Sequence, residues 1–528
     1  MLVCVKEEQL MKNNIGLLLS KRAIINPDRE AYVDGKTGSR VSFSELDSRS
    51  NRFANALKGL GVQPGDRVAL VLMNSIEFIE AFFAIAKIGG VIVPLNWRLV
   101  SNELEFILKD SGAKTIVFGE QFVGMMKDLH DRGEKTDVEN WIQVAANGRD
   151  SEFFQDYDQF RNAADDCQPE VLAKDDDLLF IMYTSGTTGL PKGVVHSHHT
   201  CMWALITFGA SCDLRDGDRY ILALPLFHVG SLTPLLLNIY QGVTSVVMQE
   251  FDPKRAWELI EKEKITNTLL VPAMLNFMTQ VTNITHYDYS SLRWVQSGAA
   301  PLPVNLIQQY ADLNIDVHQI YGLTECCGPA CVISAEDALS KIGSTGKAFF
   351  HTNVKVVDGN GDICPPGEQG EVWMSGKHIM IEYWNNPGAT RESITEDGWF
   401  RTGDVASVDE EGFIYIQDRI KDMIISGGEN VYPAEIENVI LSHPQVSEVA
   451  VIGQASDKWG ESPFAVVIKK TDQLQEADVL KFCDGKLAKF KLPKAAVFID
   501  VIPRNANGKV LKRELRLQFP GPSAKTVN

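Results

Sequence analysis

Residues 183–193 of the chain are YTSGTTGLPKG, and they follow the apolar run LLFIM at 178–182. The apolar run predicts a buried strand. Glycines let a backbone approach a ligand closely and present its N–H groups, and hydroxyl side chains add further donors. Lys192 adds a positive charge. The sequence therefore predicts a strand that leads into a phosphate-binding loop, with Thr184, Ser185, Gly186, Thr187, Thr188 and Lys192 as its binding residues.

This loop differs from the phosphate loop of kinases and GTPases. That loop has the pattern Gly-x-x-x-x-Gly-Lys-Ser/Thr, whereas Lys192 follows Pro191 and precedes Gly193. The spacing therefore disfavours both of those classes. Three histidines follow the loop, His196, His198 and His199. They are interpreted as structural residues, because a metal site would need further ligands at suitable spacing.

The composition is that of an ordinary globular protein. The chain has 528 residues, of which 45% are hydrophobic and 23% charged, and this length predicts about two to four domains. It contains no uninterrupted apolar run of about 18 residues and no signal-peptide pattern, and Met11 is an alternative start. Nine cysteines without a Cys-x-x-Cys pair argue against a disulfide framework and favour a cytoplasmic location.

The charge is distributed unevenly. The net charge is −18, but residues from Lys421 onward carry 15 Lys and Arg against 13 Asp and Glu, which leaves −20 for residues 1–420. An acidic body repels nucleic acid, so we expect no nucleic-acid partner. Basic residues in the last part suit an anionic cofactor, a peripheral contact with an anionic membrane, or simply a solvated helix face: Lys481, Lys486, Lys489, Lys491 and Lys494.

Helix and strand patterns alternate in the first part of the chain, as expected for parallel α/β layers. Helices are predicted at 43–60 and 76–88, strands at 67–72 and 90–94, and the alternation recurs at 177–250 and 256–299. After about residue 340, short strands and a hairpin-type turn at 358–362 predict a β-rich lobe. From Lys421 the pattern is α+β. We predict a large α/β N-terminal domain at 1–418 that includes the lobe, and a small C-terminal domain at 419–528.

Four further clusters join polar side chains to turns. They are YGLTE at 321–325, WFRTGD at 399–404, QDRIKD at 417–422 and PRNANGK at 503–509. An aromatic ring suits stacking on a base, and a carboxylate is a hard ligand for Mg²⁺. Taken singly, these residues also fit a core aromatic, a solvated carboxylate and an aspartate that caps its own turn.

Together with residues 183–193, these clusters resemble in type and order the signature of the adenylate-forming enzymes. That superfamily contains acyl-CoA synthetases, luciferases and peptide-synthetase adenylation domains. The resemblance covers nearly the whole chain and implies ATP, Mg²⁺ and coenzyme A as its small molecules. It also implies a mobile C-terminal domain with its hinge at Lys421. Residues 180–189 and 421–437 are most similar to bacterial long- or very-long-chain fatty acyl-CoA synthetases of the mycobacterial type.

The resemblance also implies roles in the nucleotide site. Tyr321 is expected to stack on adenine, Glu325 to hold Mg²⁺, and Asp404 to accept the ribose hydroxyls. Lys509 is expected to bridge the substrate carboxylate and the α-phosphate, and Thr184 and Glu325 are the other expected catalytic residues. The remaining expected ATP or AMP contacts are Gly298, Ala299, Gly322, Thr324 and Arg419.

Two more groups of residues follow from the same resemblance. The acyl pocket is assigned to His228, Gly230, Gly298 and Ala300, where small residues leave room for an apolar tail. The CoA site is assigned to Gly427, Gly428, Trp459 and Lys491, although a packed role for Trp459 is an equal alternative. Some relatives carry an arginine where Leu492 stands here, which makes Lys491 the weakest assignment.

The expected activity is an ATP-dependent ligation of a carboxylic acid to CoA through an acyl-adenylate. A fatty acid of medium to very long chain is the preferred substrate class. An aryl-acid ligase of the coumarate or benzoate type and a luciferase-like adenylating oxygenase are the alternatives. A homodimer is compatible with the sequence.

Overall fold

The structure, a computed structural model, describes residues 13–146, 152–184, 191–299, 302–334, 336–419, 422–426, 429–456, 459–484, 486–487, 489, 491–504 and 510–521. Several residues with predicted roles lie outside the described residues: Ser185, Gly186, Thr187, Thr188, Ala300, Lys421, Gly427, Gly428 and Lys509.

The first part of the chain alternates helices and strands. Its helices are α1 (Gly16–Ile25), α2 (Phe43–Gly59), α3 (Ile76–Lys87), α4 (Ser101–Ser111), α5 (Val123–Asp131) and α6 (Tyr157–Asn162). Its strands are β1 (Glu30–Asp34), β2 (Arg40–Ser42), β3 (Arg67–Val71), β4 (Val91–Pro94), β5 (Thr115–Gly119), β6 (Asn140–Val144) and β7 (Gln155–Asp156). The helices expected at 43–60 and 76–88 are confirmed as α2 and α3.

The alternation continues to residue 348. The strands are β8 (Leu178–Thr184), β9 (Lys192–Ser197), β10 (Arg219–Leu222), β11 (Thr244–Val247), β12 (Asn267–Leu270), β13 (Trp294–Ser297), β14 (Asp316–Tyr321), β15 (Cys331–Val332) and β16 (Lys347–Ala348). The helices are α7 (His198–Ser211), α8 (Val229–Gln241), α9 (Pro253–Glu263), α10 (Pro272–Thr279) and α11 (Val304–Asp312).

The last part is richer in strands. These are β17 (Asn353–Val357), β18 (Gln369–Ser375), β19 (Glu382–Tyr383), β20 (Phe400–Val408), β21 (Ile414–Arg419), β22 (Ile424–Ser426), β23 (Glu429–Val431), β24 (Val446–Ser456), β25 (Gly460–Lys469) and β26 (Ala495–Phe498). Its helices are α12 (Pro387–Ser393), α13 (Pro433–Leu441), α14 (Glu476–Cys483) and α15 (Lys512–Gln518).

The strands form four sheets. Sheet A has the order β16-β15-β14-β13-β12-β10-β11-β1-β2, and sheet B the order β19-β9-β8-β4-β3-β5-β6-β7. Both are parallel in their middle and antiparallel at one or both edges. Sheet C (β17-β18-β20-β21) is antiparallel and is the expected β-rich lobe. Sheet D contains β22 to β26.

Helices fill the space between sheets A and B. The largest hydrophobic cluster joins buried residues of α1, α2, α3, α7 and α8 to residues of both sheets, such as Phe180 of β8 and Leu222 of β10. Helices α9, α10 and α11 cover the other face of sheet A, and α4 and α5 cover the other face of sheet B. Sheet D has clusters of its own within residues 424–519. The expected α/β class with a smaller second domain is confirmed, while the boundary at 418/419 stays a prediction.

Local capping explains where the central helices begin. The Ser42 hydroxyl accepts a hydrogen bond from the Glu45 N–H, and the Glu45 carboxylate accepts one from the Ser42 N–H, which is a capping box at the start of α2. The Ser75 hydroxyl accepts from the Phe78 N–H at the start of α3. None of the described helices has both the length and the hydropathy needed to cross a membrane.

Asn74 ties the two large sheets together beside the start of α3. Its Nδ2 donates to the Leu224 carbonyl at 2.8 Å and to the Met248 carbonyl at 3.1 Å, and its Oδ1 accepts from the Leu226 N–H at 2.8 Å. Asn74 follows β3 of sheet B, whereas its partners follow β10 and β11 of sheet A. The side chain is 5% exposed, so water cannot replace these bonds easily.

Asn74→Ala should therefore destabilise the large domain by about 2–4 kcal/mol, because it leaves buried backbone groups without partners. The midpoint of urea denaturation, followed by tryptophan fluorescence, should fall. Asn305→Ala on the exposed side of α11 is the matched control and should change stability by less than about 0.5 kcal/mol. Equal midpoints for the two variants would contradict the role of Asn74.

Candidate active site

The predicted site residues gather where parallel strands end. Thr184 is the last residue of β8, Tyr321 the last residue of β14, and Gly298 follows β13. Residues 223–228 lie directly after β10. In open α/β sheets, ligands bind in the crevice at the carboxyl ends of the strands, so this edge is the expected place for a substrate.

The phosphate-binding stretch joins two antiparallel strands. Residues of β8 pair with β9, with Tyr183 opposite Gly193 and Thr184 opposite Lys192. Lys192 is thus the first residue of a strand. The phosphate loop of NTPases leads instead from a strand into a helix, whose N-terminus supplies part of the positive potential. The different geometry agrees with the different spacing of the lysine.

Side chains outside the motif anchor the base of this hairpin. The Tyr183 hydroxyl donates to Asp110 Oδ2 at 2.6 Å, and Trp384 Nε1 donates to the Asp110 carbonyl at 2.9 Å. A Cβ on Gly193 would lie 2.7 Å from Ile181 Cγ2 and 3.1 Å from Trp384 Cβ, so only glycine fits there without a shift. Asp110 and Trp384 lie in none of the recognised motifs, so neither was predicted from the sequence.

Tyr321 and Asp404, predicted separately for adenine and ribose, are in direct contact. The Tyr321 hydroxyl donates to Asp404 Oδ2 at 2.6 Å, and Asp404 is 4% exposed. Burial, and then the Asp404 charge, raise the pKa of Tyr321 far above its ordinary value, so the hydroxyl stays a donor at physiological pH. On β20, Asp404 pairs with Arg419 of β21, which places the Arg419 backbone beside the same site.

Two of the predicted glycines permit close approach between backbone segments. A Cβ on Gly322 would lie 1.7 Å from the Gly328 carbonyl oxygen, and one on Gly298 would lie 2.5 Å from the Ile320 carbonyl oxygen. Ala299 adopts the left-handed region at φ 68°. The contact at Gly298 brings the end of β13 against β14, and the contact at Gly322 closes the turn that follows β14. A side chain at either glycine would force the two segments apart.

Sheet B holds the turn at Thr324 and Glu325 at three points. His196 Nε2 on β9 donates to the Thr324 carbonyl at 2.8 Å, and the Met380 N–H donates to the Glu325 carbonyl at 2.7 Å. The Tyr383 hydroxyl on β19 donates to Glu325 Oε1 at 2.8 Å. Lys192 Nζ lies 5.0 Å from the centroid of the Tyr383 ring. The structure therefore brings Lys192 and Glu325 to opposite parts of one tyrosine, which sequence reasoning did not single out.

The Glu325 carboxylate fits the predicted Mg²⁺ site. Mg²⁺ prefers hard oxygen ligands and is usually held by one or two carboxylates together with substrate phosphates and water. Within the described ranges, no three His, Cys, Asp or Glu side chains come together as a metal site. A single carboxylate next to the predicted phosphate-binding hairpin is suited to a metal ion that binds together with the nucleotide. Glu325 would hold it through Oε2.

The histidines near the loop have structural partners. His196 is buried with Nδ1 3.1 Å from the Thr200 hydroxyl, and His198 Nδ1 accepts from the Ile15 N–H at 3.0 Å. Burial lowers the pKa of each to about 4. Both are neutral at physiological pH and serve packing, in agreement with the structural interpretation.

Two of the residues predicted for the acyl pocket, His228 and Gly230, lie at the start of α8, whereas Gly298 follows β13. His228 precedes α8, its ring centroid is 4.3 Å from that of Phe227, and burial lowers its pKa to about 3. A neutral imidazole presents little charge to an apolar tail. The nearest atom to a Cβ on Gly230 would be Leu224 Cδ1 at 3.5 Å, so this position has space. Asn74 holds the preceding turn at Leu224 and Leu226.

The two CoA assignments within the described residues, Trp459 and Lys491, lie near sheet D. Trp459 is 42% exposed, which leaves its ring accessible for stacking. Lys491 Nζ lies 2.8 and 2.7 Å from the two carboxylate oxygens of Glu435. In this conformation the lysine is paired within its own domain. Its contact with a CoA phosphate stays a prediction, as do the roles assigned to the other site residues.

Comparison with known families agrees with this geometry. Residues 19–384 match the AMP-binding enzyme family, and residues 435–509 match the AMP-binding enzyme C-terminal domain. The chain belongs to the family of AMP-binding enzymes, as its resemblance to the adenylate-forming enzymes predicts.

Particular relatives cover almost the whole chain. The long-chain-fatty-acid–CoA ligase FadD13 of Mycobacterium tuberculosis is 45% identical over 507 residues, which are 96% of this chain and 98% of the relative. A feruloyl-CoA synthase of Amycolatopsis is 37% identical over 94% of this chain and 98% of its own length. The solved structure of a Mycobacterium tuberculosis fatty acyl CoA synthetase superposes with a TM-score of 0.78 at 42% identity, over 96% of this chain and 98% of that one.

The buried histidines predict acid sensitivity. An unfolded histidine binds a proton below about pH 6.5, whereas His196 in the folded chain resists protonation down to about pH 4. Its stabilising effect is thus complete above pH 6.5 and is lost as the pH falls toward 4. The loss is on the order of 3 kcal/mol for this residue.

Thermal unfolding measured from pH 7.5 to 4.5 should show a midpoint that falls below pH 6.5. His196→Gln keeps a donor for Thr324 and should make this decline shallower. His286→Gln on the exposed surface is the control. If the slope for His196→Gln equals that of the unchanged protein, the assigned cause is wrong.

Proposed function

We propose that the protein is an AMP-forming, ATP- and Mg²⁺-dependent fatty acid–CoA ligase that acts on medium- to very-long-chain acids. The observation that carries this proposal is the convergence of Lys192, Glu325, Tyr321 and Asp404 on one crevice of an AMP-binding enzyme. The high identity with a long-chain-fatty-acid–CoA ligase supports the substrate class.

In the first step, a carboxylate oxygen of the acid attacks the α-phosphorus of ATP. The bond between that phosphorus and the bridging oxygen breaks, and pyrophosphate leaves with the electron pair. Bound Mg²⁺ supplies positive charge to the phosphates. Lys192 attracts the pyrophosphate part, Asp404 accepts from the ribose, and Lys509 lies between the two approaching anions. A preorganised positive group there lowers the barrier, and its loss costs about 10²–10³ in rate.

In the second step, the CoA sulfur attacks the acyl carbon and AMP leaves. Lys509 acts only in the first step, while Gly427 and Gly428 offer a bare backbone past which the pantetheine arm can run. The small domain must therefore rotate about Lys421 between the steps. The exposed ring of Trp459 is available for the CoA adenine. Lys491 would have to exchange Glu435 for a CoA phosphate.

The acid pocket favours an apolar tail. His228 is neutral at physiological pH because of its lowered pKa, and Gly230 leaves space beside it. An aryl-acid ligase is the second candidate, because the feruloyl-CoA synthase of Amycolatopsis is 37% identical to this chain. No feature of the described residues favours a luciferase-like oxygenase over either ligase.

The setting of the reaction is also part of the proposal. We place the protein in the cytoplasm, because all eight described cysteines are free thiols, as in a reducing compartment. The acid, ATP and CoA are its partners, and the charge of −18 disfavours nucleic acid. A homodimer and a peripheral membrane contact stay predictions.

Lys509→Ala should lower acyl-adenylate formation from ATP by about 10²–10³ while thioester formation from supplied acyl-AMP continues. Pyrophosphate release reports the first activity, and CoA thiol consumption reports the second. Arg513→Ala is the matched control, because it removes an exposed positive charge only four residues further along the chain. Equal loss of both half-reactions in Lys509→Ala would refute the assignment.

A substrate panel tests the acid class. Pyrophosphate release, measured with CoA across C4 to C26 fatty acids and several aryl acids, should be fastest with a fatty acid of medium to very long chain. Faster turnover of coumarate or benzoate would establish the second candidate instead. Turnover of a dicarboxylate alone would refute the apolar pocket.

A further inference from the structure

Tyr383 lies between the two predicted phosphate- and metal-binding charges, yet no motif contains it. Strand β19 pairs antiparallel with β9, which places Tyr383 opposite Val194. Lys192 is two residues from Val194 on β9. Side chains two residues apart in a strand point to the same face, so the tyrosine ring and the lysine meet at one side of the sheet edge.

The two parts of the tyrosine contact different partners. Its ring faces Lys192 Nζ at 5.0 Å, a cation–π distance, and its hydroxyl donates to Glu325 Oε1 at 2.8 Å. Neither Lys192 nor Glu325 makes an ion pair with any residue that the structure describes. Both charged groups therefore contact the same tyrosine and not each other.

Direct pairing of Lys192 with Glu325 would harm both predicted functions. A lysine held by a carboxylate has less charge to offer a phosphate, and a carboxylate held by a lysine is a poorer Mg²⁺ ligand. Tyr383 satisfies each group with a contact that leaves its charge in place. The ring is neutral, and the hydroxyl occupies Oε1 while Oε2 can reach a metal.

The carboxylate is also fixed from the backbone side. The Met380 N–H donates to the Glu325 carbonyl, and His196 donates to the neighbouring Thr324 carbonyl. With the backbone held in this way, the Tyr383 hydroxyl is the contact that orients the carboxylate itself. Partners of metal ligands that act in this way typically contribute 10–100-fold to metal affinity.

We propose that Tyr383 is a positioning residue that separates Lys192 from Glu325, so that the lysine serves the pyrophosphate part of ATP and the carboxylate serves Mg²⁺. This inference rests on the proposed nucleotide site but not on the identity of the acid. Tyr383→Phe removes the hydroxyl and keeps the ring, whereas Tyr383→Leu removes both. The two variants therefore separate orientation of the carboxylate from separation of the charges.

The test is Mn²⁺ binding in the presence of a non-hydrolysable ATP analogue, followed by the electron paramagnetic resonance signal of free Mn²⁺. Tyr383→Phe should weaken Mn²⁺ binding about tenfold and leave analogue affinity at saturating Mg²⁺ within about twofold. Tyr383→Leu should weaken both, because Lys192 can then reach Glu325. Lys192→Met in the Tyr383→Leu background is measured at a saturating concentration of the analogue, because the lost lysine also weakens the phosphate contact. Under that condition it should restore Mn²⁺ affinity to the level of Tyr383→Phe.

Tyr310→Phe is the matched control, because it likewise removes the hydroxyl of a buried tyrosine. The Tyr310 hydroxyl donates to the Leu275 carbonyl, and the residue belongs to a different hydrophobic cluster. It should leave Mn²⁺ binding unchanged. The proposal is overturned if folded Tyr383→Phe binds Mn²⁺ within twofold of the affinity of the unchanged protein. It is also overturned if Lys192→Met does not restore the Mn²⁺ affinity of Tyr383→Leu. If the protein turns over no fatty acid but Mn²⁺ binding depends on Tyr383 as described, the proposed substrate fails and this inference stands.

Discussion

Burial of α3 between sheets A and B is the constraint on which the arrangement of the site depends. Every residue from Phe78 to Lys87 is buried, including two charged ones. Lys87 pairs with Asp47, and Glu80 pairs with Arg49 and Arg161, because an unpaired charge in this layer would be costly. Asn74 stands just before this helix and clamps the ends of two strands of the facing sheet. The layer that packs the core thereby also aligns the carboxyl ends of both sheets along one crevice.

The edge strands of the two sheets also position site residues. Sheet A contributes the turn with Tyr321 and Glu325. Sheet B contributes β9 and β19, which hold that turn through His196 and Tyr383, and Met380, just before β19, adds a backbone hydrogen bond. These contacts join residues 55 to 128 positions apart in sequence. The Glu325 carboxylate, predicted to bind the metal, thus follows a strand of sheet A in the chain but is held, with its turn, by hydrogen bonds from residues of sheet B. A change in the packing of the two sheets would alter its orientation.

The sequence alone predicted the positions of elements that have strong hydrophobic periodicity or clear start and stop residues. Helix α2 carries its capping box and ends close to Gly61, and α3 is mostly apolar, so both were predicted within two residues. The predicted residues Tyr321 and Asp404 do converge, as the order of the motifs implied. Asp110, Asn74 and Tyr383 could not be predicted in the same way. Each acts through a partner distant in sequence, and nothing local distinguishes it from an ordinary polar or aromatic residue.

The hairpin geometry explains why separation of Lys192 from Glu325 matters in the proposed site. A phosphate loop that ends in a helix gains positive potential from the helix N-terminus. Here the element described after the loop is the strand β9, which pairs antiparallel with β8 and begins at Lys192, so the positive charge on this side comes from the Lys192 side chain. This side of the site would lose much of its attraction for phosphate if the charge of Lys192 were neutralised by a neighbour. Glu325 must nevertheless be near, because the metal that it is predicted to hold would also neutralise charge on the phosphates. A neutral aromatic ring between the two, with a hydroxyl directed at the carboxylate, satisfies both requirements.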